Sequence, residues 1–167
     1  MTAPKTYCLD SNVLIQAWQK YYSPLFCPEY WDVLNELGNQ ERIVLPQMVF
    51  EEITRTDDGL ANWLKLSSIR KLRQTEKVIQ CWKDIQAKDP LHKLLVDNIK
   101  QRSLADPWVI AHAMDEGACV VTKENKETAR STTRIKIPNV CENMGIPWMD
   151  DFQFIQELNI QFSCKLP

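Results

Sequence analysis

Four carboxylates stand where hydrophobic runs give way to helical patterns. Asp10 directly follows Tyr7-Cys8-Leu9. Glu52 lies in the first two turns of the helix expected after Arg42–Leu45. Asp106 sits near the start of another helix, and Glu124 comes just beyond Ala118–Thr122. An acid at a helix start ordinarily serves the helix dipole or caps the first turn. Four acids gathered in one place are a different matter, because ionised carboxylates cannot share a site unless a cation neutralises them. Hard oxygen donors of this kind select Mg²⁺ or Mn²⁺. An ion held by acids and water can orient and deprotonate a water molecule and stabilise the charge that builds up on phosphorus, which is metal-assisted phosphodiester hydrolysis. That chemistry requires no serine, cysteine or histidine nucleophile, and the sequence offers no convincing triad. An aspartyl-phosphate route through Asp10 would want D-x-D, and the third position here is Asn12.

Short strands and amphipathic helices must position these acids. Tyr7–Leu9, Arg42–Leu45 and Ala118–Thr122 read as buried strands, with Pro147–Met149 as a last one. Helices are expected over Asn12–Lys20, Glu29–Leu37 (stopped by Gly38), Gln47–Arg55, Asp57–Ser67, Thr75–Ala87, from Pro90 through Ile99, Ala105–Glu116 (stopped by Gly117), and from Asp150 through Leu158. Arg134–Ile137 is left as strand edge or loop. Strands alternating with helices predict an α/β fold, a short central parallel sheet flanked by helices. Ligands of such sheets gather at the carboxyl ends of the strands, where the four acids fall.

With 167 residues, 44% hydrophobic and 25% charged, the chain is expected to form a single domain over 1–167 that folds without disulfides or structural metal. No run of 18 uncharged apolar residues is present, so no membrane span is expected, and the first twenty residues do not resemble a secretory signal. The six cysteines form no CxxC and only two histidines occur, which argues against a zinc site. Cys8 and Cys119 lie in apolar runs as small hydrophobes, and a reducing, cytoplasmic compartment is expected.

The net charge of −2 speaks against a generally nucleic-acid-coated surface and leaves room for a local basic patch. Two windows qualify. Residues 65–77 carry five basic side chains against one acid, and residues 123–136 carry five against two. The second begins at the acids, so Lys123, Lys126, Arg130 and Arg134 are candidate phosphate contacts. Trp63, Trp82 and Trp108 fall on helical faces that suit a core. His112 lies about 120° around its helix from Asp106 and suits packing.

Tyr7-Cys8-Leu9-Asp10-Ser11-Asn12-Val13-Leu14-Ile15 resembles the opening strand and turn of PIN-domain nucleases, D-[ST]-N-x-[LI]. Leu45–Ile53, with Glu52, resembles the second acidic motif of that family. Leu104–Ala113, with Asp106, resembles the third. Val120-Val121-Thr122-Lys123-Glu124 resembles the fourth, usually T-x-D and here with Glu. The motifs come in the order of the family and span most of the chain. The resemblance implies a PIN-like three-layer sandwich and cleavage of RNA with Mg²⁺ or Mn²⁺. Asp10, Glu52, Asp106 and Glu124 would hold the metal, Asn12 would brace Asp10, and Thr122 would orient the fourth acid. The stretch around 57–103 is long for a minimal member and implies a helical insertion, and residues 135–141 look like a less-characterised PIN-like subgroup.

Many VapC-like members are bacterial toxins neutralised by a partner, so the expected partners are an RNA substrate and an antitoxin protein, with a homodimer as a further candidate. The competing expectation is a PIN-like module that binds RNA or protein without cleaving.

Overall fold

Tyr7–Leu9 form β1, a strand with no exposed side chain. It pairs in parallel with β2 (Ile43–Pro46) on one side and β4 (Cys119–Val121) on the other, with Cys8 opposite Val44 and Val120. Fully apolar runs of this kind are what a parallel strand covered on both faces demands. The computed structural model describes residues 2–97, 100, 102–129 and 133–167. Two outer strands, β3 (Arg70–Leu72) and β5 (Trp148–Met149), complete a five-stranded, all-parallel sheet of order β3-β2-β1-β4-β5. The chain builds outward from β1 to β3, returns across the sheet, and continues from β4 to β5. The reversal leaves a crevice at the carboxyl ends of β1 and β4, the place where open α/β sheets bind ligands.

Helices flank the sheet: α1 (Ser11–Gln16), α2 (Pro28–Asn39), α3 (Gln47–Thr54), α4 (Gly59–Leu66), α5 (Glu76–Lys88), α6 (Asp106–Glu116), α7 (Ile137–Met144) and α8 (Asp151–Glu157). The helix α6 packs on α5 and against β1, β2 and β4. Its Val109, Ile110, Ala111 and Ala113 are completely or almost completely buried. Trp63, Trp82 and Trp108 are half-buried and pack against the core. Trp63 meets Trp31 edge-on at 4.9 Å. Cys8 and Cys119 are buried inside their strands. Among the described residues, no helix is long and apolar enough to cross a membrane.

Several local expectations are corrected. Gly38 does not stop α2, which runs on to Asn39. Its missing side chain serves close packing instead, since a Cβ there would lie 2.8 Å from the Ile69 backbone nitrogen. The helix expected over Asn12–Lys20 changes to a π-helical turn at Ala17–Tyr21. The segment from Pro90 forms a 3-10 turn ending at Leu95, and Ile99 lies outside the described residues. The stretch 57–103 supplies α4 and α5 and also β3, whose Arg70 and Lys71 mark it as a charged sheet edge rather than a core strand. Arg134–Ile137 leads into α7, an eight-residue helix with Pro138 in its first turn. Gly117 does end α6, in the left-handed conformation at φ 64°.

Candidate active site

The β1–β4 ladder fixes the first acid. The Asp10 amide donates to the Val121 carbonyl at 2.9 Å, so Asp10 prolongs the strand pairing by one residue. It then occupies the N-cap position of α1 in extended conformation, but its carboxylate makes no capping bond. The side chain is buried and accepts a hydrogen bond from the Thr122 hydroxyl at 2.8 Å. That hydroxyl, itself fully buried, also accepts from the Glu124 amide at 3.1 Å and from the Asn12 side-chain amide at 3.5 Å. One proton donated and two lone pairs filled exhaust what a threonine hydroxyl can do. Thr122 therefore sets Asp10 and the backbone of Glu124 relative to each other.

Asn12 does not brace Asp10 directly. Its amide reaches Thr122, and its carbonyl accepts from the Lys123 amide at 3.0 Å, so it clamps the turn that follows β4.

The other acids come from the connections. The helix α6 must carry the chain from the carboxyl edge of the sheet back to the amino end of β4, which sets its first residue, Asp106, at the carboxyl edge. A negative charge there is favoured by the positive end of the helix. Ser103, three residues before Asp106, has φ 57° and its carbonyl accepts from the Asp106 amide at 3.2 Å. Glu52 projects from α3 at the exposed rim and accepts from the Ser11 hydroxyl at 3.3 Å. One oxygen of Glu124 accepts from the Ile137 amide at 2.8 Å, a cap for α7 supplied from thirteen residues away.

These carboxylates feel one another. Burial pushes Asp106 far above the usual carboxylate range, and the charges of Asp10, Glu124 and Glu52 push it further. Burial likewise raises Asp10. The Thr122 hydrogen bond opposes this rise, and the charges of Glu124 and Glu52 add to it. Buried Asp10 and half-buried Asp106 are thus both held under the influence of neighbouring negative charges. Oxygen donors of this type and charge fit a hard divalent cation. As placed, however, no three acidic, histidine or cysteine side chains among the described residues form a ready ligand set for one ion.

The basic residues divide. Lys123 is only 10% exposed, pairs with buried Asp151 at 2.8 Å, and lies over the rings of Tyr21 and Phe152 at 4.3 and 4.6 Å. It fastens the β4 turn to α8, so a phosphate would have to compete with Asp151 for its charge. Lys126 is exposed and pairs with Glu142. Arg134 is exposed and lines a cavity of about 310 Å³ together with Lys126 and Lys136. Arg130 lies outside the described residues. In the other window, Lys65, Arg70 and Lys77 pair with Asp57, Glu116 and Asp115. His112 is buried, with its pKa lowered by that burial, and lines a separate cleft beside β3.

The architecture defined by this sheet and its flanking helices is a PIN-like α/β fold. It is similar to the crystal structure of VapBC2 from Rickettsia felis bound to a DNA fragment from their promoter. The TM-score is 0.57 at 16% identity, over 87% of this chain and 98% of that one. It is also similar to FitAcB from Neisseria gonorrhoeae, with a TM-score of 0.50 at 17% identity, over 86% of this chain and 96% of that one. No curated protein matches the chain. The model of a family described as a domain of unknown function (DUF4411) matches residues 7–162, and the chain belongs to that family.

Proposed function

We propose that this protein is a metal-dependent endoribonuclease of the PIN type and the toxin of a toxin–antitoxin pair. The observation that carries the reading is the pair of acids at the carboxyl edge of the sheet, buried Asp10 and half-buried Asp106, on which the charges of Glu52 and Glu124 bear. Asp10, Glu52, Asp106 and Glu124 would hold Mg²⁺ or Mn²⁺. The bound ion would neutralise the acids and supply an activated water for phosphodiester hydrolysis. Thr122 keeps Asp10 in one orientation, and Asn12 holds the turn from which Glu124 extends. Glu52, on the rim, adjusts most freely to the ion and substrate. Lys126, Arg130 and Arg134 remain candidate RNA contacts. The likeness of fold to VapBC2 and FitAcB supports an antitoxin as partner, and a homodimer belongs to the same proposal.

A second reading, a PIN-like module that binds without cleaving, is favoured by the Glu124 oxygen already committed to Ile137 and by the lack of a finished ligand set among the described residues. Cleavage of a short unstructured RNA in Mn²⁺, with Asp10→Asn as the control, separates the two. The nuclease reading expects wild-type cleavage, its loss in Asp10→Asn, and an unchanged circular dichroism spectrum. Manganese-independent RNA binding with no cleavage by the wild type would establish the second.

A further inference from the structure

The acids are bordered by a cleft that sequence reading did not anticipate. On the Glu52 side, Met48, Glu51, Glu52 and Arg55 of α3 face Arg102 and Ser103 of the segment entering α6, around a space of about 250 Å³. The two arginines come from separate parts of the chain, and both are exposed. Arg55 caps the carboxyl end of α3. Arg102 is bridged to Asp97, its amide donating to the Asp97 carbonyl at 3.1 Å and its carbonyl accepting from the Asp97 amide at 3.2 Å.

The acids of the same wall are engaged elsewhere. Glu51 accepts from Gln47 at 3.2 Å and Glu52 from Ser11 at 3.3 Å. Among the described residues, neither guanidinium has an ion-pair partner, whereas Arg70, Lys77, Lys123 and Lys126 are all paired. A planar guanidinium grips a phosphate through two parallel hydrogen bonds.

A polyanion approaching Asp10 and Asp106 is repelled by them unless cations lie on either side. On the far side, the groove that contains Glu124 is lined by Lys136 and by Lys126, the latter paired with Glu142. On the near side, Arg55 and Arg102 occupy the corresponding place.

We infer that Arg55 and Arg102 form a phosphate clamp for the stretch of a single-stranded RNA lying on the Glu52 side of the cleaved bond. The inference rests on the nuclease reading above and adds the direction in which the strand leaves the acids. Because the contacts are to phosphate, the clamp positions the strand and reads no base.

The test is a salt titration of binding to a short unstructured RNA, with Ca²⁺ in place of Mg²⁺ to suppress cleavage. It compares wild type with Arg55→Gln, Arg102→Gln and the double variant. Each lost contact should flatten the slope of log affinity against log salt by about 0.7, and the double variant by about 1.4. In Mn²⁺ the double variant should raise KM while kcat at saturating RNA holds, the mark of lost uniform binding. The Mn²⁺-induced rise in melting temperature should stay as in wild type. An unchanged slope in a double variant that still cleaves RNA overturns the clamp and leaves the nuclease reading standing. A wild type that neither binds nor cleaves the RNA overturns both.

Discussion

Replacing Lys123 with Met should destabilise the protein more than any other single change on the site's periphery. The substitution keeps most of the aliphatic stem and removes only the charge. In the native protein that charge lies 2.8 Å from Asp151, whose side chain is 2% exposed, with no more than 10% of the lysine side chain open to water. A carboxylate buried to that degree and left without its cation costs about 3–5 kcal/mol. Loss of the two ring contacts with Tyr21 and Phe152 adds roughly 0.5–1 kcal/mol. For a chain of this size the sum corresponds to a fall in Tm of roughly 10–20 °C. Urea denaturation followed by tryptophan fluorescence measures it. The double variant Lys123→Met with Asp151→Asn should recover at least half of the loss, because the orphaned charge is gone. A cost below about 1 kcal/mol for Lys123→Met, or a double variant no better than the sum of the singles, would refute the buried-pair account and return Lys123 to the RNA-contact candidates.

Asp106 carries a pKa raised by burial and by three neighbouring acids, so the metal-free native state holds its proton to higher pH than the unfolded chain does. Stability of the metal-free protein should therefore fall as pH rises from about 4, where the unfolded carboxyl ionises, through the raised native pKa. Asp106→Asn should flatten that fall in a series of urea melts, and a steeper decline in the variant would contradict it. Thr122→Val removes one donor and two acceptor contacts at a fully buried position, which should cost about 1–3 kcal/mol and depress RNA cleavage. Thr122→Ser should restore cleavage, and a fully active Thr122→Val would show that Asp10 needs no such support.

The central strands and the order of the acids were legible because they depend on local pattern. Tyr7–Leu9 and Cys119–Val121 are uninterrupted apolar runs, and such runs suit strands buried on both faces. What escaped notice was stabilised from a distance. The strand β3 has two charged residues out of three and exists because Val44, Leu45 and Pro46 offer it a pairing edge. The helix α7 has no side-chain cap of its own and receives one from Glu124. Gly38 looked like a helix stop because glycine commonly is one, and only the approach of Ile69 reveals its packing role.

Charge was harder to read than hydrophobicity for a related reason. A window of basic residues shows how many cations a segment carries, but not how many remain unpaired once the chain folds. Residues 65–77 looked strongly basic, yet Lys65, Arg70 and Lys77 are matched by acids from Asp57, Glu116 and Asp115. Lys123 stood nearest to the acids in sequence, yet it is turned inward to Asp151. Arg55 and Arg102 lie in no basic window and are the cations left beside Glu52. The electrostatic logic of the site follows from pairing across elements. Among the described residues, Lys123 and Lys126 next to Glu124 are paired with Asp151 and Glu142, whereas Arg55 and Arg102 beside Glu52 have no ion pair, and that contrast is what the proposed clamp rests on.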